Sequence, residues 1–142
     1  MKRWTHWLGV KSPDANTYVP SAPAREGDLC IQYLGTAGFV ISQDGHHVVL
    51  DPYVTRPDLS TSLTQPLVPN APLIRRLIPH ANDVLIGHAH HDHILDGPDL
   101  CKQTGARLIG SSSTMQVGIA AGLPPEQLVS TDGREDIASG AW

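Results

Sequence analysis

Short apolar runs broken by glycine open the ordered part of the chain, and longer mixed runs follow. Residues 29–34 (Leu-Cys-Ile-Gln-Tyr-Leu), 39–42 (Phe-Val-Ile-Ser) and 46–50 (His-His-Val-Val-Leu) carry β-branched and aromatic side chains. They predict three strands. Gly35-Thr36-Ala37-Gly38 separates the first two, and Asp44-Gly45, a strong hairpin signal, joins the second to the third. The start of the domain therefore reads as a β-meander ending at Asp51-Pro52.

Beyond it the pattern changes. Residues 53–70, with Pro57, Pro66 and Pro69, predict a long loop, which in a compact domain is more often functional than idle. A short helix is expected over 72–77, with Pro72 in its first turn. The apolar stretch 83–86 reads as a buried strand running straight into Gly87. A helix over 98–103 closes at Gly105, a strand covers 107–109, and Ser112 or Ser113 caps a helix over 114–121 that Gly122 ends. Residues 128–130 form a last strand before a turn-rich tail. A meander followed by alternating strand and helix predicts an α/β (α+β layered) domain with a mostly antiparallel or mixed sheet and flanking helices. Residues 11–27 are rich in Pro, Ser, Ala and Asn and show no period, so 1–27 reads as an arm or linker and 28–142 as the domain.

Composition narrows the function classes. A chain of 142 residues with 40% hydrophobic content suits one soluble globular domain. Its net charge of −4 and scattered basic residues give no electrostatic footing for nucleic acid. Cys30 and Cys101 form no C-x-x-C pair and read as free thiols of a reducing compartment. No run approaches the ~18 apolar residues of a membrane span. The basic start Met1-Lys2-Arg3 lacks a continuous apolar segment, because Thr5 and His6 interrupt it. A cytoplasmic protein is expected, with peripheral membrane contact through Trp4 and Trp7 as the minor alternative to their packing on the domain.

The chemistry concentrates in Gly87-His88-Ala89-His90-His91-Asp92-His93. In extended backbone His88 and His90 leave on the same side, so their imidazoles can share one metal ion. Asp92 and His93 follow where the chain must turn and can face a second ion. Independent placement of eight His and eleven Asp would produce H-x-H-x-D-H on the order of twice in a thousand such chains, too rarely for chance to be the simpler explanation. Imidazole and carboxylate donors suit Zn2+, and also Mn2+ or Fe. His91 is expected on the pocket wall or surface, His46 and His47 as solvent-facing strand residues, and His80 in an exposed loop. Asp51 can either accept a hydrogen bond from a ligand imidazole or cap a turn. Asp96 either caps the helix at Pro98, the favoured reading, or orients the ligand loop.

H-A-H-H-D-H after an apolar strand resembles the H-x-H-x-D-H signature of the metallo-β-lactamase-fold metallo-hydrolases. Residues 31–39, Leu50-Asp51-Pro52-Tyr53 and residues 105–110 resemble that family's opening meander and the strand after its motif helix, so the likeness covers roughly residues 29–131. It is closest to the branch of lactonases and phospholipase D-like enzymes. The resemblance implies an αββα sandwich with one or two metal ions at one edge. It implies His88 and His90 on the first ion, Asp92 and His93 on the second, and Asp92 as the catalytic residue orienting the nucleophilic water. It further implies hydrolysis of a lactone, ester or phosphodiester in a small-molecule substrate. The family completes its sites with later histidines and an aspartate, whereas no histidine follows His93 here. The chain is therefore read as the N-terminal half of a family member, with an uncovered sheet face open to self-association. A non-catalytic metal-binding or interaction module pairing through that face is the alternative.

Overall fold

The computed structural model describes residues 25–132 and 136–140. Most of the arm read over 1–27, including Trp4 and Trp7, lies outside the described residues. Three strands open the fold: β1 (Cys30–Gly35), β2 (Gly38–Gln43) and β3 (His46–Leu50). They pair antiparallel in sequence order, β1 with β2 and β2 with β3. The turn residue Asp44 and its neighbour Gly45 have φ of 48° and 80°, the left-handed conformation that a tight hairpin requires at both positions.

The strands β4 (Asp83–Leu85), β5 (Arg107–Gly110) and β6 (Leu128–Ser130) then add in parallel. The result is one mixed six-stranded sheet in the order β1-β2-β3-β4-β5-β6. Its antiparallel share is smaller than expected. The reason is that each later strand is reached through helical crossover chain, which returns it in the same direction as its predecessor.

The connecting helices are α1 (Leu59–Thr64), α2 (Ala71–Leu77), α3 (His91–Ile94), α4 (Gly97–Thr104) and α5 (Ser112–Ala120). Two of them correct the sequence reading. The supposed loop 53–70 contains α1, started by the Asp58 carboxylate accepting from the Thr61 N–H. Its apolar residues all point outward: none is buried, and Leu63 is 76% exposed, so no hydrophobic stripe announces it. The α5 cap is Ser111, not Ser112 or Ser113, because its hydroxyl accepts from the Thr114 N–H. Gly105 closes α4 as expected, at φ 79°.

One face of the sheet carries the core. Val40, Val49, Val84 and Leu108 share that face by register and are buried. Helices α4 and α5 pack there with Ile74 of α2, Leu100 and Cys101. The opposite face runs through Ile31, Tyr33, Phe39, Ile41, Leu50, Leu85 and Val129. Among the described residues no helix covers it, and Ile31 and Tyr33 are 63% and 59% exposed.

At one end of that open face a charged cluster fastens residues 138–139. Arg107 donates to both carboxylate oxygens of buried Asp83, at 2.6 and 3.0 Å, and to the Ala138 carbonyl at 2.9 Å. Ser139 donates to Asp83 as well and pairs with His46 Nε2, so His46 is not the free, solvent-facing residue expected. Burial alone would raise the Asp83 pKa, but the Arg107 hydrogen bonds, the Ser139 bond and the charges of Arg107 and His46 outweigh it and hold the carboxyl below its ordinary range. A lowered carboxyl pKa gives stability that is present above the unfolded-state value and lost as the pH falls through the folded-state value. Urea midpoints measured from pH 6 down to about pH 2 are expected to fall in the native protein. Asp83→Asn should flatten that acid limb.

Candidate metal centre

The site is built on the edge where parallel β3 and β4 end. Strand β4 is central in the sheet, with buried Val84 on the core face, and its pairing runs on past Leu85: Ile86 N donates to the Ile109 carbonyl at 2.9 Å. The chain then leaves the sheet at Gly87, and His88 is the first side chain beyond it. His90 takes the N-cap position of the single-turn helix α3, with φ −78° and ψ 152°, and that turn brings Asp92 and His93 back toward His88.

The result is compact. One donor atom from each of His88, Asp92 and His93 lies within 4.8 Å of the other two, and among the described residues no other group of three or more such side chains does so. Nε2 of His93 stands 3.7 Å from Asp92 Oδ2. The His88 and His93 rings are 4.0 Å apart between centroids. His90 stands just outside this trio, its Nδ1 at hydrogen-bonding distance (3.0 Å) from His88 Nε2. The structure thus gathers three of the four sequence-predicted ligands and holds the fourth against the first.

Asp51 supports the group from behind. Its Oδ2 is 3.0 Å from His93 Nδ1 and its Oδ1 accepts from the Gly87 N–H at 2.7 Å. One carboxylate therefore touches both ends of the ligand segment. Asp51 itself sits at φ 40°, a costly conformation for a residue with a side chain, of the kind that clusters at functional sites. A Cβ at Gly87 would come 3.1 Å from Asp51 Oδ2, so a side chain there would press on the carboxylate that supports the ligands.

Asp96 behaves differently from the favoured expectation. It occupies the N-cap position of α4 but makes no capping bond. Its fully buried carboxylate instead accepts from the Val54 N–H at 2.6 Å, the Thr55 N–H at 2.8 Å and the Thr55 hydroxyl. Thr55 Oγ1 in turn accepts from the Asn70 N–H at 2.7 Å. Asp96 ties the end of the ligand turn to the loop after β3, and its hydrogen bonds go to none of the four ligands. With Gly97 and Pro98 leading into α4, the free N–H groups that a cap would serve are partly removed by the proline, and the carboxylate turns to donors across the chain.

Tyr53 is the neighbour that sequence reasoning missed. Burial, then the negative charges of Asp92 and Asp96, push its phenol above the ordinary value against the pull of Arg56. Its ring lies edge-on to that of His91 at 6.1 Å between centroids, and His91 is exposed, in keeping with the expected wall or surface position. The signal lay in the position of Tyr53 two residues after Asp51. Cys101 is excluded as a thiolate ligand or nucleophile, since burial, with Asp83 adding to it, raises its pKa to about 12. Neither cysteine is in a disulfide.

The donor set fits a metal ion. Two imidazoles and a carboxylate converge, and the buried His93 Nδ1, although close to Asp51, has no aligned hydrogen bond. An ion on Nε2 would fix the proton on Nδ1 and draw that contact into line.

Comparison with known proteins points the same way. No family model matches the chain. A protein named UPF0173 metal-dependent hydrolase from Pyrobaculum arsenaticum is 31% identical over 97 residues, which is 68% of this chain and 39% of that protein. One of the same name from Anaeromyxobacter sp. (strain K) is 31% identical over 105 residues, 73% of this chain and 35% of the relative. This chain belongs with the metallo-hydrolases of metallo-β-lactamase-like kind. It spans well under half the length of these relatives. The solved structure of Igni18, a novel metallo hydrolase from Ignicoccus hospitalis, shares the fold with a TM-score of 0.51 at 22% identity, over 72% of this chain and 39% of that one. Among the described residues no helix is long and apolar enough to cross a membrane.

Proposed function

We propose that this rim is the metal centre of a hydrolase that opens a lactone, ester or phosphodiester in a small-molecule substrate, with His88, His90, Asp92 and His93 as its protein ligands. The observation that carries the reading is the convergence of His88, Asp92 and His93 with Asp51 standing behind His93. Zinc is the metal we infer, because borderline imidazole and carboxylate donors suit it. When bound, such an ion supplies Lewis acidity and makes a water acidic enough to attack at neutral pH.

The residues of the chain do the rest. Asp51 stands behind the His93 imidazole and holds it toward the rim. Asp92, only partly buried, has a carboxylate placed to orient a water and take its proton. Tyr53 keeps its phenol protonated, so it can donate a hydrogen bond beside Asp92. Exposure of His88 and His90 leaves the outer side of the rim open to substrate.

The test is hydrolysis of bis(p-nitrophenyl) phosphate, a p-nitrophenyl ester and a simple lactone by the zinc-loaded chain. Turnover of at least one of these is expected to vanish with a chelator and return with zinc. It should fall by about 100-fold or more in Asp92→Ala, the scale of general acid–base loss. Zinc retained at the rim with no hydrolysis of any of the three would contradict the hydrolase reading.

A further inference from the structure

At the opposite end of β3 from Asp51 lies an open, polar cleft of about 530 Å³, lined by His47, His80, Asn82, Gln103 and Thr104 among others. None of these residues belongs to the rim. The His47 and His80 rings lie 5.8 Å apart between centroids and within 29° of parallel. With metal–nitrogen bonds of about 2.0–2.1 Å, two imidazoles on one ion have centroids roughly 5–6.5 Å apart. The pair already has that spacing.

Further observations favour a nitrogen-seeking cation there. His47 Nδ1 is engaged by Ser42 Oγ at 2.9 Å, which leaves Nε2 as the free ring nitrogen, the way an outer hydrogen bond fixes a metal-binding tautomer. The His47 backbone is held too, its N–H donating to Asn82 Oδ1 at 2.8 Å. Gln103 Oε1 is buried without a hydrogen-bond donor. A buried acceptor left unpaired is costly, and the water of a hydrated cation would pair it.

We propose that this cleft is a second metal site, at which His47 and His80 hold one divalent transition-metal ion with water completing its coordination. Imidazole donors select Cu2+, Ni2+ and Zn2+ over Mg2+ and Ca2+, which take oxygen ligands. The site stands whether or not the rim proves hydrolytic, because it shares no residue with it.

Ni2+ is the probe. Calorimetric titration into a His88→Ala/His93→Ala chain, in which two of the four proposed rim ligands are removed, is expected to show one Ni2+ per chain. Adding His80→Ala should weaken that binding at least about tenfold, the scale of a lost imidazole contact. His80 is exposed, so its removal leaves the core untouched. In the unmodified chain, paramagnetic Ni2+ should broaden the imidazole NMR signals of His47 and His80. Absence of Ni2+ binding in the double variant, affinity unchanged by His80→Ala, or broadening confined to the rim histidines would each overturn the proposal.

Discussion

His93→Ala is expected to weaken zinc binding at the rim by about 100-fold or more, because loss of a ligand should at least match the 10–100-fold cost of losing an outer-sphere partner. Asp51→Ala, which leaves every proposed ligand in place, should fall within that 10–100-fold range. Competition with a chromophoric chelator measures both. The ranking matters more than either value. His93 is the residue through which the two halves of the site meet: Nε2 faces Asp92 at 3.7 Å while Nδ1 faces Asp51 at 3.0 Å. Asp51 also accepts from the Gly87 N–H, so its removal frees the ligand segment at its start as well. Affinities ranked wild type, Asp51→Ala, His93→Ala are expected. Equal affinities for all three would mean that neither side chain serves an ion.

The second large effect concerns stability rather than binding. Asp96→Ala should cost about 2–4 kcal/mol in urea unfolding, since it strands the N–H groups of Val54 and Thr55 and the Thr55 hydroxyl at a position with no solvent. Its pH dependence has a distinct sign. Burial raises the Asp96 pKa, and the charge of Asp99 adds to it, against the hydrogen bonds from Thr55 and Val54. A raised carboxyl pKa means that the folded state favours the protonated form. The associated stability is full below the unfolded-state pKa and is lost as the pH rises through the folded-state value. Asp96→Asn cannot ionise and should not show that loss, while keeping one acceptor for the loop. Unfolding curves above the ordinary carboxylate range therefore separate the native protein, which shows the loss, from Asp96→Asn, which does not.

The strands were legible because each is short, apolar and bounded by glycine, aspartate or proline. Strands β3 and β6 match the expected residues, and the hairpin at Asp44-Gly45 follows from its own chemistry. Helix α1 was not legible, since its Leu59 and Leu63 face outward and no amphipathic period marks it. The ligand spacing was readable from H-x-H-x-D-H, and so was the neighbourhood of His88 and His90, whose ring nitrogens lie 3.0 Å apart. Less readable was the turn of α3, which folds Asp92 and His93 onto the same His88. The support from Asp51 could be anticipated from its place at a strand end. For Asp96 the sequence left a helix cap and a ligand-loop role open, and its actual partners, Val54 and Thr55, belong to neither the helix nor the ligand segment. Such pairings depend on how α4 docks against the loop after β3, and no local pattern encodes that.

The central claim is a metal ion held past the end of β4 by His88, Asp92 and His93, with His90 beside His88 as the fourth proposed ligand. Anomalous diffraction at the zinc absorption edge, from crystals grown with one equivalent of zinc, tests it most directly. A single strong peak bonded to His88, Asp92 and the Nε2 atom of His93, with Nδ1 aligned on Asp51, is the predicted result. An empty rim at full zinc loading, or zinc bound with His93 turned away, would contradict it.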